Sequence, residues 1–209
     1  VLMDNAGAGA VDALLAADAG LRARSSSGPA VAVLCGKGNN AGDGFVVGRR
    51  LSRHGVATTV VLLMPPHDLA GDALAHYGLL GDAGVTVVDL SAVSVAELPR
   101  RLDQSAAGAR WLVDALLGSG VQGAPREPLQ TAIRWLNAQP ARRLALDLPS
   151  GLDCDTGATP GAVVRADITC AFVAQKRGFA AANAQPWLGE VRVVPIGTPA
   201  ELLTEVLGS

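Results

Sequence analysis

Residues 30–44, AVAVLCGKGNNAGDG, indicate which kind of fold this chain adopts. Its first six residues form a continuous apolar run, which is typical of a strand buried on both faces of a sheet. The run passes directly into a glycine-rich segment, 36–44, and then into a helical pattern that ends at Gly55. A strand, a glycine-rich loop and a helix in this order indicate the first unit of an α/β fold.

The same alternation of apolar runs and helical patterns continues along the chain. A helical stripe over 2–23 precedes the first strand, and further strands and helices are predicted at 56–64, 68–81, 85–89, 95–104, 110–117, 128–137, 142–148, 167–173 and 190–195, with a short helix after Pro199. No repeat or charge run divides the chain. We therefore predict a single domain over residues 1–209, a three-layer α/β/α, Rossmann-like, doubly wound and mostly parallel sheet.

The composition excludes several classes of protein. The longest apolar stretch, 56–66, spans about 11 residues, where a membrane-spanning helix needs roughly 20. A net charge of −2, seven aromatic residues and no basic run argue against a nucleic-acid partner. No secretory signal pattern is visible, so we expect a cytoplasmic protein without a membrane partner. Because the chain starts at Val1 within a helical pattern, we also expect that residues precede it.

Three predicted strands end in glycine-rich or acidic sequence, at 36–44, 114–122 and 147–155. The carboxyl ends of parallel strands meet at one edge of the sheet, and open α/β sheets bind ligands beyond that edge. We therefore expect these three segments to form the functional site together.

The first segment satisfies the loose dinucleotide-binding pattern G-x-G-x-x-G/A with Gly36, Gly38 and Ala41. In that pattern the glycines let the backbone approach a phosphate, and the next helix supplies amide groups and a positive dipole end. A standard NAD site also needs an acidic residue about 20 positions further on, and none follows Arg53 at the expected place. The sequence therefore argues against ordinary hydride transfer, and a turn that caps the next helix stays an alternative.

Oxygen-bearing side chains follow each of these strands. Asp114 and Asp147 end buried apolar runs, where a carboxylate is costly unless it is paired, hydrogen-bonded or bound to a cation. Asn40 and Ser150 are expected at the same edge. One interpretation is a hard cation held by Asn40, Asp114 and Ser150, and the other is a set of satisfied structural side chains.

Other kinds of catalytic site have less support. Ser119 and Ser150 do not lie in a G-x-S-x-G pattern, and no cluster of His and Cys residues suggests a transition-metal site. Asp153 and Asp155 are interpreted as turn-forming residues. The three histidines are expected at surface positions in or beside helices: His54, His67 and His76.

Five segments, in order along nearly the whole chain, resemble those of the YjeF N-terminal domain family, the NAD(P)H-hydrate epimerases. GKGNNAGDG at 36–44 resembles the GxGNNGGDG loop, and DALLGSG at 114–120 resembles DALFGTG. DLPSGLD at 147–153 resembles D-[IL]-P-S-G-x-D. AQKRG at 174–178 and the segment 189–197 resemble the late APKxG and GEVxVxxIG segments. The departures are Ala41 for Gly, Ser119 for Thr and Gln175 for Pro.

The resemblance implies an epimerase that interconverts the R and S forms of NADHX and NADPHX, the hydrates of NADH and NADPH. It implies a potassium ion held by Asn40, Asp114 and Ser150, and contact between Asp147 and the reacting end of the substrate. It also implies a homodimer, and an ADP- or ATP-dependent dehydratase, fused to the C-terminus or separate. The substrate-contacting residues that it implies are Asn39, Asn40, Ala41, Gly42, Asp43, Gly118, Ser119, Gly120, Val121, Gln122, Gly123, Ala124 and Asp147.

Epimerisation at C6 of the hydrated ring requires proton transfer near that carbon. Asp147, at a desolvated strand end, is our candidate acid/base. Lys176 is a second catalytic candidate, for substrate binding or proton transfer, and its alternative is a solvated surface lysine. A non-catalytic dimerisation or scaffold module of the same fold is the alternative to an enzyme.

Overall fold

A computed structural model describes residues 1–22, 28–199 and 201. Seven strands of the described chain form one sheet in the order β3-β2-β1-β4-β5-β6-β7. Every neighbouring pair is parallel, so the sheet predicted as mostly parallel is entirely parallel. The strands are β1 (Val31–Cys35), β2 (Thr58–Leu62), β3 (Thr86–Asp89), β4 (Trp111–Ala115), β5 (Arg142–Leu146), β6 (Ile168–Phe172) and β7 (Glu190–Val194).

Helices connect the strands and cover both faces of the sheet. The α-helices are α1 (Leu2–Ala17), α2 (Asn39–Arg53), α3 (Gly71–Gly78), α4 (Leu98–Ser105), α5 (Leu129–Ala138) and α6 (Gln185–Leu188). Short 3₁₀ turns occupy Ala19–Arg22, Pro66–Asp68 and Arg177–Ala180. Helix α1 ends earlier than the predicted residue 23, and the helix predicted after Pro199 lies, apart from Glu201, outside the described residues.

Two hydrophobic cores sandwich the sheet, because successive side chains of each strand point to opposite faces. On one face, Val33 packs with α1, α2 and α3. On the other, Leu34 packs with α4 and α5. This arrangement confirms the predicted α/β/α layers. None of the helices described is both long and apolar enough to cross a membrane.

Strand order reverses between β1 and β4, which are neighbours although β2 and β3 lie between them in sequence. Such a switch point opens a crevice at the carboxyl edge of the sheet. Two glycines allow the backbone to pack closely in this region. A Cβ at position 36 would lie 2.1 Å from the Leu116 carbonyl oxygen, and one at position 44 would lie 2.6 Å from the Ala115 Cβ. Packing within the chain therefore accounts for Gly36 and Gly44.

Candidate active site

A cleft of about 540 Å³ opens at this edge of the sheet, where β1, β4, β5 and β6 end. Its volume lies within the range of small-molecule sites. The cleft is lined by Lys37, Gly38, Asn39, Asn40, Asp43, Met64, Leu116, Leu117, Gly118, Ser119, Gly120, Val121, Leu129, Asp147, Phe172, Val173 and Lys176. All three segments singled out in the sequence contribute to it.

Most of the predicted substrate-contacting residues line this cleft, but five do not. Ala41 is fully buried in the core beneath α2, and Gly42 packs against Met3 of α1. Three residues of the loop 118–124, which follows β4, are exposed and do not line the cleft: Gln122, Gly123 and Ala124. The structure therefore gathers the start of α2 and the first half of that loop around the cleft.

Asn40 and Ser150 both contact the backbone of Leu117, and Asp114 joins them through Ser150. The Asn40 side-chain amide donates to the Leu117 carbonyl at 2.8 Å, and the Leu117 amide donates to Ser150 Oγ at 2.9 Å. Ser150 Oγ in turn donates to Asp114 Oδ1 at 2.6 Å. The three side chains named as cation ligands from the sequence thus form one hydrogen-bonded cluster.

Asp114 is fully buried, and no described cationic side chain forms an ion pair with it. Burial raises the pKa of this carboxyl to about 6, although hydrogen bonds from the Ser150 side chain, the Ser150 amide and the Leu116 amide act in the opposite direction. A buried carboxylate with neutral donors and no counter-ion is stabilised by a nearby cation.

The oxygen atoms around this carboxylate fit such a cation. Asn40 Oδ1 is buried and accepts no hydrogen bond from the described residues, although the Asn40 amide nitrogen is satisfied. A buried acceptor without a donor is costly unless an ion or a water molecule completes it. Carbonyl, carboxylate and hydroxyl oxygens suit a hard cation.

Asp147 and Lys176 form an ion pair inside the cleft. Lys176 Nζ lies 2.5 Å from Asp147 Oδ1, and both side chains are largely buried, with 19% and 13% of their surfaces exposed. Lys176 Nζ also donates to the Phe172 carbonyl at 3.0 Å. The alternative of a solvated Lys176 is therefore wrong, and its ammonium is held at the end of β5 beside the proposed acid/base.

Asp147 has an unusual backbone conformation, with a φ of 65°. The Leu148 amide donates across it to the Leu146 carbonyl at 2.8 Å. A hydrogen bond across one residue with positive φ defines the rarer hand of γ-turn. Aspartate tolerates this left-handed region better than most residues, and nothing in the sequence pattern revealed the turn.

Asp43 is a second carboxyl group in the cleft. It lies at the start of α2, and its side chain receives no hydrogen bond or ion pair among the described contacts. Burial, and secondly the negative charge of Asp147, raise the pKa of Asp43 to about 8. At neutral pH the carboxyl group of Asp43 is therefore mostly protonated and uncharged.

Sequence reasoning missed other features near the cleft. Lys37 lies within the quoted loop and pairs with Asp68 at 3.4 Å. The sequence offered a signal for Lys37, because lysine is rare in this chain and occurs at positions 37 and 176 alone. Both lysines line the cleft. The expected surface position of His76 is wrong: its side chain is 12% exposed and lies 3.8 Å from Asp4. His67 is exposed as predicted.

The sequence profile of the family described as YjeF-related protein N-terminus matches residues 1–178 of the chain. The chain belongs to this family. It is 41% identical over 206 residues to the NAD(P)H-hydrate epimerase of Pirellula staleyi, a match that covers 99% of the chain and 86% of that relative. It is also 41% identical over 178 residues to the bifunctional NAD(P)H-hydrate repair enzyme Nnr of Salinibacter ruber, covering 83% of the chain and 33% of that enzyme.

A solved structure shares the fold of this YjeF family member. The crystal structure of the yeast protein YNL200c superposes with a TM-score of 0.70, covering 85% of the chain and 72% of the yeast protein at 22% identity. The family resemblance and the fold class predicted from the sequence are both confirmed.

Proposed function

We propose that the chain is an NAD(P)H-hydrate epimerase, an isomerase that interconverts the R and S forms of NADHX and NADPHX in the repair of nicotinamide cofactors. The Asp147–Lys176 ion pair carries the proposal, because it places charged groups for proton transfer in a cleft of suitable size. The match to the Pirellula staleyi enzyme over nearly the whole chain supports the same reaction.

The cleft supplies recognition of a dinucleotide along two of its walls. One wall is the start of α2 with Asn39 and Asn40, where free amides and the positive end of the helix dipole favour phosphate oxygens. The other wall is the loop 118–121, which follows β4. Gly38 faces open space, since a Cβ built there would meet no atom within 4 Å.

The reaction requires the C6 hydroxyl to leave and return on the opposite face of the ring. The C6–O bond breaks as the hydroxyl takes up a proton and departs as water, and the ring nitrogen donates its electron pair to C6. Water then adds to the other face and gives up a proton. We propose that Asp147 moves this proton and that Lys176 holds the carboxylate in place. Ring opening at C6 requires proton transfer at the same position.

We further propose that Asn40, Asp114 and Ser150 hold a potassium ion. The buried Asn40 Oδ1 without a donor and the unpaired charge of Asp114 support this assignment. The ion would neutralise negative charge beneath the substrate and join the three loops.

Two partners belong to the same proposal. One is a second copy of the chain in a homodimer. The other is an ADP- or ATP-dependent dehydratase that consumes the S form. Relatives such as the Salinibacter ruber protein are bifunctional repair enzymes about three times as long as the matched segment, which supports a dehydratase that is fused or separate.

The test couples the protein to a dehydratase that accepts only S-NADHX. R-NADHX is supplied, recovery of NADH absorbance is followed in the presence of potassium, and the spontaneous rate without the protein is subtracted. We expect the wild type to accelerate recovery and Asp147→Asn to lose about 10²- to 10⁴-fold, the usual contribution of acid–base catalysis.

The matched control is Asp82→Asn, the same change at an exposed position away from the cleft, which should retain full activity. Asparagine also tolerates positive φ, so Asp147→Asn preserves the backbone turn. A folded wild type that works no faster than the spontaneous rate would contradict the proposal and favour the scaffold alternative.

A further inference from the structure

The strand that follows β5 in the sheet ends in the same rare turn as β5 itself. Val173, the first residue after β6, has a φ of 70°, and the Ala174 amide donates across it to the Phe172 carbonyl at 2.9 Å. Asp147 and Val173 are the two non-glycine residues with positive φ in the described ranges, and both line the cleft. Two γ-turns of the strained hand therefore lie side by side at the candidate active site.

Val173 is the more unusual of the two. Aspartate enters the left-handed region with modest strain, whereas a β-branched residue there is a genuine outlier. Strained residues persist where the surrounding structure determines them, and they cluster at functional sites. The contacts of the Val173 turn show which groups the strained conformation holds in place.

The turn presents one carbonyl group to Lys176. Phe172 O accepts the Ala174 amide at 2.9 Å and the Lys176 ammonium at 3.0 Å. The same ammonium contacts Asp147 Oδ1 at 2.5 Å. Two of its three N–H groups are thus directed by the strand ends, one to each γ-turn.

The segment that carries Lys176 is fixed at both ends. At its start, the Val173 amide donates to the Val194 carbonyl at 3.0 Å. At its end, the Gly178 amide donates to the Cys154 carbonyl at 2.7 Å. Lys176 lies between these anchors, so its position depends on the conformation at Val173.

We infer that Val173 is a positioning residue that acts through Lys176: its strained turn aims the Phe172 carbonyl at the Lys176 ammonium and so holds that ammonium against Asp147. The role in turnover rests on the proposed function, but the placement of Lys176 does not.

Replacement of Val173 by glycine separates the effect of backbone strain at this residue from its effect on the position of Lys176. Glycine adopts positive φ without strain, but it also samples many other conformations. Val173→Gly should therefore stabilise the fold while it loosens the hold on Lys176. A residue that serves packing alone would lose stability and activity together.

The experiment compares wild type, Val173→Gly, Val173→Thr and Val95→Gly. Threonine retains the branched shape and the strain, and Val95 is an exposed valine in a turn outside the cleft. Three quantities are measured: the melting temperature, kcat and KM in the coupled assay, and the rate at which an acetylating reagent modifies each lysine, followed by mass spectrometry. Lys37, which is 56% exposed, is the internal reference for Lys176.

We expect Val173→Gly to melt at a higher temperature, to lose about tenfold or more in kcat with little change in KM, and to acetylate Lys176 about tenfold faster relative to Lys37, the change that follows loss of one hydrogen bond to a charged group. Val173→Thr should retain the Lys176 acetylation rate of the wild type, and Val95→Gly should match the wild type in kcat and in Lys176 acetylation.

An unchanged rate of Lys176 acetylation in Val173→Gly would overturn the inference. A lower melting temperature together with a lower kcat in this variant would also overturn it. Melting and acetylation need no substrate. An inactive wild type would therefore contradict the proposed function, whereas these two measurements would still decide the role of Val173.

Discussion

Replacement of Asp43 by asparagine should make the stability of the protein less dependent on pH. Burial and the charge of Asp147 raise the pKa of Asp43 from 3.8 to about 8 in the folded chain. Between these two values the folded protein retains a proton that the unfolded chain has released. Stability therefore falls as the pH rises through this window, and the loss ends above the folded pKa.

The magnitude follows from linkage. One proton retained on folding changes the free energy of unfolding by about 1.4 kcal/mol per pH unit. Between pH 5 and pH 7 the wild type should thus lose about 2 to 3 kcal/mol relative to Asp43→Asn, which carries no titratable group at this position. The side chain is 8% exposed, so solvent screening removes little of this effect.

Urea unfolding at half-unit steps from pH 5 to pH 9, in constant potassium chloride, measures the difference. Asp82→Asn is the control, because this exposed aspartate has no cleft contacts, and its curve should run parallel to that of the wild type. In Asp147→Asn the pH range over which stability falls should become narrower, since one of the two causes of the raised pKa of Asp43 is gone. If wild type and Asp43→Asn show the same dependence on pH, the reasoning about the buried acid is refuted.

Three further predictions concern other parts of the site. Ser150→Ala leaves the Leu117 amide without its acceptor and removes the hydroxyl donor to Asp114, which keeps the bonds from the Ser150 and Leu116 amides; it should destabilise by about 1 to 3 kcal/mol and abolish any stabilisation specific to potassium over sodium in thermal melts. Lys37→Ala should raise KM and weaken its dependence on ionic strength at unchanged kcat, because it removes an exposed cation from the cleft. Gly178→Ala places a Cβ 2.4 Å from the Gly157 amide and should lower the melting temperature, unlike an alanine at the open position 81.

The sequence predicted the parts of the site that follow from strand register. In a parallel sheet all carboxyl ends meet at one edge, so the sequence alone predicts that Asn40, Asp114 and Ser150 lie together. Their hydrogen-bonded cluster, in which Asn40 and Ser150 contact Leu117 and Ser150 contacts Asp114, agrees with that expectation. Buried polar residues at the ends of apolar runs were thus sufficient to locate the cleft.

The remainder depends on tertiary contacts that no local pattern encodes. Gly36 fits the phosphate-binding pattern and Gly44 ends the same glycine-rich segment, but the structure explains both by the close approach of β4 and the residue that follows it. Asp68 lies six residues beyond the end of β2 and still reaches Lys37. The turn at Val173 contradicts the intrinsic preference of valine, so sequence reasoning had no means to find it.

The distribution of the two kinds of basic residue supports a functional role for the cleft. Among 17 lysines and arginines, the two lysines both line the cleft. Arginines form other ion pairs among the described residues, such as Arg49 with Asp4 at 2.6 Å between α2 and α1. Arginine suits such structural pairs, because its planar group stays charged and binds carboxylates in a fixed geometry. An ammonium group is compact, and its pKa responds to its surroundings. A lysine at position 176 therefore places a compact cation beside Asp147, where the proposed movement of a proton at Asp147 would change the attraction between the two groups.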